Sequence, residues 1–305
     1  MTRFFISTIP FASTNTDPLK LLVKKEIDYE INSFGRKITE NELANQIQDF
    51  EVLIAGTEPI TKKVIDKAKK LKVISRVGVG IDNIDLEYAK SKGIIIKKSL
   101  NGPSVAVAEY TLGLILNALR HIHIASSQTK DGIWKKTMGR DLRACSVGVL
   151  GAGNIGTEVI RMLSGFSPKR IYFHDPYFNG EIENATKLSM DEIISKSDIL
   201  TFHLPLTDET INLITIDEFK RMKKDSLIIN TSRGGIINEE DLYTALKSKL
   251  ISGAALDVFN EEPYLGQLND FENCLISPHM APMSVQARES MELDAIKQAL
   301  EVLAL

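Results

Sequence analysis

Residues 148–156, GVLGAGNIG, limit the fold more than any other stretch of the chain. Gly151, Gly153 and Gly156 follow the apolar run SVGVL and precede a helical pattern, TEVIRMLSGF. A strand that passes through G-x-G-x-x-G into a helix is the first turn of a doubly wound α/β unit that holds a dinucleotide. Gly151 permits the tight turn, Gly153 lets a pyrophosphate approach the backbone, and Gly156 lets the helix pack close to the strand. The phosphates then meet free N–H groups at the positive end of the helix. The following strand ends at Asp175, 24 positions after Gly151. An acid there accepts hydrogen bonds from ribose hydroxyls and repels a 2′-phosphate, so the expected cofactor is NAD rather than NADP. The alternative for Asp175 is a surface residue that opens the turn DPY.

Around that loop the chain alternates strand and helix patterns twice. Before residue 98 the runs RFFISTI, EVLIAG, KVISRV and GIIIKK read as buried parallel strands. Helical patterns near 39–48, 61–71 and 85–92 lie between them, with Thr39 and Thr61 as expected N-caps. The second series is SVGVL, RIYFH, SDILTF, SLIIN, GAALDV and CLIS. The fold class expected is α/β, as two doubly wound parallel-sheet domains in series. The boundaries expected are 1–99 for the first, with a helix at 284–305 returning to it, and 100–283 for the second. Residues 105–119, VAVAEYTLGLILNAL, are too short and too interrupted for a membrane span. They read as a helix buried on nearly every side, against another domain or another subunit, and so predict a homodimer.

Composition excludes several classes. The net charge is −3, which gives no basic excess for nucleic acid. The lysines at 62–72 read as the solvated face of a helix. Two cysteines, Cys145 and Cys274, are too few for a disulfide framework or a zinc site, so both read as reduced core thiols and no metal is expected. The N-terminus carries no signal-peptide pattern, so a cytoplasmic protein is expected.

In open α/β sheets ligands bind beyond the carboxyl ends of the strands. After SLIIN comes Thr231-Ser232-Arg233-Gly234-Gly235, after GAALDV comes Phe259-Asn260-Glu261-Glu262-Pro263, and after CLIS comes Pro278-His279. Three strands thus deliver a cation, an anion and an imidazole to one edge. Pro278 and Pro282 stiffen the segment around His279.

These stretches, with SRVGVGIDNIDLEYAKSKGI and SDILTFHLPLTDET, resemble the D-isomer-specific 2-hydroxyacid dehydrogenase family, most of all its phosphoglycerate dehydrogenase-like branch. The resemblance covers residues 75–281. It implies a flavodoxin-like substrate domain followed by a Rossmann NAD-binding domain, and hydride transfer between NAD and a D-2-hydroxy or 2-keto acid. It implies that Arg233 binds substrate, that His279 is the acid–base residue and that Glu262 is its partner. Cofactor contacts carry over to Asn154 and Ile155 beside the glycines, Asp175 at the ribose, His203, Leu204 and Pro205 at the adenine half, and Thr231 and Asp257 near the nicotinamide amide. Val79 and Gly80 would offer N–H groups to the substrate carboxylate. In this scheme neutral His279 takes the hydroxyl proton on oxidation and returns it on reduction. Such a positioned group contributes roughly 10²–10⁴-fold.

The pattern departs from the family in places. Ala55 stands where some phosphoglycerate dehydrogenases place an arginine for the substrate phosphate, which leaves Arg76 as the cation of that region. Pro103 stands where many relatives carry asparagine. The sequence ends at 305, so feedback through a C-terminal sensing domain is not expected. 3-Phosphoglycerate is the first substrate to test and glyoxylate or hydroxypyruvate the second. The different class to exclude is an NADH-sensing interaction protein on the same fold.

Overall fold

The computed structural model describes residues 2–99 and 102–305. The chain forms two compact units, Met1–Pro103 with Met283–Leu305, and Ser104–Pro282.

The first unit holds the strands β1 (Arg3–Ile6), β2 (Asp28–Ile31), β3 (Val52–Ala55), β4 (Val73–Arg76) and β5 (Ile95–Lys98). Its helices are α1 (Asp17–Lys24), α2 (Glu40–Gln46), α3 (Lys62–Lys67) and α4 (Leu86–Ser91). The five strands pair in parallel in the order β2-β1-β3-β4-β5. That is the flavodoxin-like order, with its switch point between β1 and β3. β3 and β4 are buried at every position, as apolar runs covered on both faces must be. β5 is different: it is a sheet edge, and Ile95 is 47% exposed, so GIIIKK is not the buried strand expected from its isoleucines. β2, on the opposite edge, is polar and exposed, and no apolar pattern marks it in advance. Thr39 and Glu42 close a capping box at α2. Thr61 makes no cap at α3; its hydroxyl donates instead to Glu40 at 2.5 Å.

The second unit holds β6 (Ser146–Leu150), β7 (Arg170–His174), β8 (Thr186–Lys187), β9 (Ile199–Phe202), β10 (Leu227–Asn230), β11 (Gly253–Leu256) and β12 (Cys274–Ile276). Its helices are α5 (Ser104–Arg120), α6 (Ile122–Lys130), α7 (Asn154–Ser164), α8 (Met190–Lys196), α9 (Ile216–Arg221) and α10 (Glu239–Lys247). The seven strands are parallel in the order β12-β11-β10-β9-β6-β7-β8, so strand order reverses between β6 and β9. The last helix, α11 (Val285–Val302), packs on β3, β4 and β5 of the first unit.

Each sheet has an apolar core on both faces. Cys145 and Cys274 are buried and free. The long helix α5 lies over α7, β10 and β11 of its own unit, which buries Ala108, Leu112, Ile115 and Leu119. Its apolar circumference is therefore largely covered within one chain. The apolar side chains left outside follow it: Ile133 and Trp134 are 52% and 86% exposed and Met138 is 91% exposed. Among the described residues no helix is long and apolar enough to cross a membrane.

Candidate active site

The glycine loop sits at the switch point of the seven-stranded sheet. Gly151 has φ +91°, and a Cβ there would collide with the carbonyl of His203. A Cβ on Gly156 would collide with the carbonyl of Gly151. Both glycines are required by the protein's own packing. Gly153 is not: no atom of the protein lies within 4 Å of the position its Cβ would take. The need for glycine there comes from whatever approaches the loop. Gly153 is also the N-cap of α7, and no side chain caps that end. The N–H groups of Asn154 and Ile155 thus face outward at a helix start, as a pyrophosphate requires. These residues fit NAD.

Asp175 does two jobs that stand as alternatives in the sequence. Its Oδ1 accepts the N–H groups of Tyr177 at 2.8 Å and Phe178 at 3.1 Å, which makes the DPYF turn. Its Oδ2 accepts the N–H of Ala152 at 2.8 Å, which ties the turn to the glycine loop. A carboxylate offers about four acceptor positions, so capacity for a hydroxyl remains.

His203, Leu204 and Pro205 follow β9. The ring of His203 touches Thr201 Oγ1 through Nε2 at 3.1 Å, while Nδ1 is buried without a hydrogen-bond partner. Although the residue is only half-buried overall, its ring nitrogen is sealed from water, and burial holds the imidazole down to about 3. His203 is a neutral group beside the loop.

The loop after β10 is held by its own side chains. Asn230 Nδ2 donates to the Arg233 carbonyl at 2.8 Å, and Asn230 Oδ1 accepts from the Ser232 N–H and hydroxyl. Arg233 Nη1 donates to the Ser232 carbonyl at 2.7 Å. A Cβ on Gly234 would collide with the backbone of Phe259 and Asn260, so this glycine brings the Arg233 loop against the Glu262 loop. Asn260 N–H in turn donates to Glu239 Oε1 at 2.7 Å. Burial pushes the Glu239 carboxyl up.

Glu262 and His279 meet. Nδ1 of His279 lies 3.1 Å from both Oε1 and Oε2 of Glu262. The two side chains are 30% and 29% exposed, open enough for a small molecule to reach the ring. Because an ionised carboxylate only accepts, Nδ1 carries the proton, and Nε2 is left as the acceptor. His279 has φ +55°, a left-handed backbone that non-glycine residues seldom adopt. Asp257 is fully buried, and its carboxylate accepts from Ser277 Oγ at 2.5 Å, Met280 N at 2.8 Å and Ala281 N at 2.7 Å. Burial raises the Asp257 carboxyl despite these donors.

Arg76, Val79 and Gly80 belong to the first unit. Arg76 ends β4, is buried, and donates to the carbonyl of Val77. Gly78 N–H donates to Ser99 Oγ at 3.1 Å, and Val79 is 36% exposed. At the β1/β3 switch point of that unit stands a residue that sequence reasoning missed. Glu58 is 2% exposed, and its carboxylate accepts from the Ser7 hydroxyl and from Gly56 N–H at 3.0 Å. Thr111 and Ser277 were missed as well. Neither sits in a spacing that marks a site; only the tertiary contacts reveal them. Among the described residues no cluster of three or more His, Cys, Asp or Glu could hold a metal ion.

Residues 112–281 match the model of the D-isomer specific 2-hydroxyacid dehydrogenase, NAD binding domain. The chain is 38% identical over 275 residues to D-3-phosphoglycerate dehydrogenase of Methanocaldococcus jannaschii, covering 87% of this chain and 52% of that protein. It is also 38% identical over 260 residues to the human D-3-phosphoglycerate dehydrogenase, covering 83% and 49%. The chain thus spans about half the length of the curated relatives it matches. A crystal structure of a Thermus thermophilus protein superposes with a TM-score of 0.91 at 30% identity, over 99% of this chain and 97% of that one.

Proposed function

Since the chain belongs to the D-isomer specific 2-hydroxyacid dehydrogenase family, with that family's NAD-binding domain, we propose that it interconverts a D-2-hydroxy acid and its 2-keto acid. The observation that carries this reading is the 3.1 Å approach of His279 Nδ1 to both oxygens of Glu262, on the sheet edge that also bears the glycine loop. Bound NAD supplies the hydride acceptor. Nε2 of His279 takes the hydroxyl proton on oxidation and returns it on reduction. Glu262 accepts the Nδ1 proton and fixes the ring's orientation. Arg233 holds the carboxylate by parallel N–H bonds, which sets the angle of C2. In this reading the second unit binds cofactor, and Arg76, Val79 and Gly80 are proposed as substrate contacts. Asp175 would hold the ribose, His203, Leu204 and Pro205 the adenine half, and Thr231 and Asp257 the nicotinamide amide.

3-Phosphoglycerate is the first substrate to test, on likeness to the relatives. Glyoxylate or hydroxypyruvate is the second. At the β1/β3 switch point Ala55 is fully buried and the Glu58 carboxylate folds onto the Gly56 N–H, which leaves Arg76, opposite Ala55 in the sheet, as the cation of that region. The test is a panel of 2-keto acids with NADH, phosphohydroxypyruvate included, followed by absorbance. Turnover of at least one member is expected, and His279→Gln should lower kcat by roughly 10²–10⁴-fold. NADH binding with no turnover across the panel would replace the enzyme reading by that of a sensor.

The protein is also proposed to be a cytoplasmic homodimer. Support for the dimer comes from the segment after α5: α6 buries none of its own residues, and Trp134 and Met138 are exposed beyond it. Large apolar side chains left exposed in one segment support an interface there. Sedimentation at micromolar concentration should give a dimer, and Trp134→Lys should weaken it; a wild-type monomer would refute the assignment.

A further inference from the structure

Thr111 on α5 is fully buried, with its hydroxyl 2.8 Å from that of Thr231. Thr111 donates its proton to the Val107 carbonyl at 2.7 Å, so Thr231 is the donor between them. Thr231 stands two residues before Arg233. Ser277, buried just after β12, gives its one proton to Asp257 Oδ1 at 2.5 Å.

Asp257 ties these contacts to the imidazole. Its carbonyl accepts the His279 N–H at 2.9 Å, and its carboxylate accepts the next two N–H groups, of Met280 and Ala281. Three consecutive peptides around the ring thus end on one buried residue. A left-handed backbone is strained for a non-glycine residue. It persists only where the surroundings over-determine it. His279 meets that condition through Asp257, whose carboxylate is in turn held by the Ser277 hydroxyl.

We propose that Ser277 is a positioning residue for proton transfer: through Asp257 it fixes the backbone of His279 and keeps its Nδ1 on Glu262, while Thr111 anchors the Arg233 loop to α5. This rests on the reading of His279 as the acid–base group. Asp257 then works inward, on the main chain, as well as toward any ligand.

The test uses the full chain with NADH and the 2-keto acid the wild type reduces best. Ser277→Ala should lower kcat by about ten- to a hundredfold, as sub-ångström to 1 Å misplacement does. The Kd for NADH should rise by less than kcat falls, because Asp257 also faces the nicotinamide amide in the proposed function, and Ser277→Thr should recover most of kcat. An unchanged kcat in Ser277→Ala overturns the proposal. So does a fall in kcat matched by an equal rise in the NADH Kd, or a failure of Ser277→Thr to recover activity. Hydrogen exchange reads the same device without turnover. The amides of residues 279–281 should exchange at least tenfold faster in Ser277→Ala, with those of β3 and β4 unchanged, and equal protection in variant and wild type overturns it. If the wild type reduces no 2-keto acid, the proposed function fails by itself, and the exchange result still decides the positioning role.

Discussion

The two sheets reverse their strand order in the same way and put opposite chemistry at the reversal. In the five-stranded sheet the reversal lies between β1 and β3, and in the seven-stranded sheet between β6 and β9. Both are places where open α/β sheets bind ligands. At the first, Glu58 folds back so that its carboxylate accepts from Ser7 and Gly56, and Asn83 Nδ2 closes over the carbonyls of Gly56 and Glu58 at 3.2 and 2.7 Å. The crevice is filled by the protein's own anion. At the second, Gly151 and Gly156 press backbone on backbone, Gly153 leaves space, and α7 begins without a side-chain cap. Here the protein's own anion, Asp175, takes only the Ala152 N–H of the glycine loop, and the helix start keeps its donors open. One topology therefore yields a plug or a cradle, and the choice rests on a glutamate at one turn and missing Cβ atoms at the other.

The cradle should fail first and most completely when its backbone contact is blocked. Gly156→Ala drives a methyl into the Gly151 carbonyl, and neither partner is a flexible side chain. The expected cost is about 3 kcal/mol or more, at the upper end of overpacking. Calorimetry should show the transition of the second unit lowered or lost, together with NADH binding. A variant with normal melting and normal affinity would mean that the loop is looser than the contact implies.

The plug should cost less and leave the cradle alone. Glu58→Ala leaves the Gly56 N–H facing no acceptor inside the first unit, while the Ser7 hydroxyl keeps the Ile54 carbonyl at 3.1 Å. A buried orphan costs about 1–3 kcal/mol. Thermal unfolding of the first unit should fall accordingly while the NADH Kd stays put. A shift in NADH affinity would break the separation between the two sites.

How far these sites could be read in advance depends on the range of the interactions that make them. β6, β9 and β10 were legible because every position is buried and the residues are mostly apolar, with valine and isoleucine among them. β2 was not, since Asp28, Tyr29 and Glu30 line an exposed edge with no apolar pattern. Arg233, Glu262 and His279 could be named because each closely follows a legible strand. Ser7 and Glu58 meet across 51 positions, and nothing local in STIP or GTEP announces a buried ion. Thr111 hides inside an apolar helix, where it reads as one more core residue. An apolar stripe does not say which neighbour will cover it, and α7, β10 and β11 of its own unit cover much of α5.

His203 gives the next smaller effect, and it depends on pH. Burial holds its imidazole at about 3, below the ordinary value near 6.5. The unfolded chain therefore takes up a proton that the folded one refuses. Stability is intact above pH 6.5 and falls as pH drops below it, by up to about 1.4 kcal/mol per unit until the folded value is reached. At pH 5 the loss is about 2 kcal/mol. His203→Asn should flatten this part of the denaturation profile of the second unit between pH 6.5 and 5. An unaltered slope would mean that water reaches the ring.

Gly153→Ala is the finest probe, because it should change binding without changing the fold. A methyl there meets no protein atom within 4 Å, and φ at this position is −74°, which alanine adopts without strain. The melting temperature should move by no more than the exchange of glycine for alanine at an N-cap allows, about 1 kcal/mol. The methyl would nevertheless stand where a pyrophosphate must approach the N–H groups of Asn154 and Ile155. NADH should bind at least about tenfold more weakly, a difference of roughly 1.4 kcal/mol. Equal affinity in the two proteins would mean that the phosphates lie elsewhere, and the contrast between cradle and plug would then lose its physical basis.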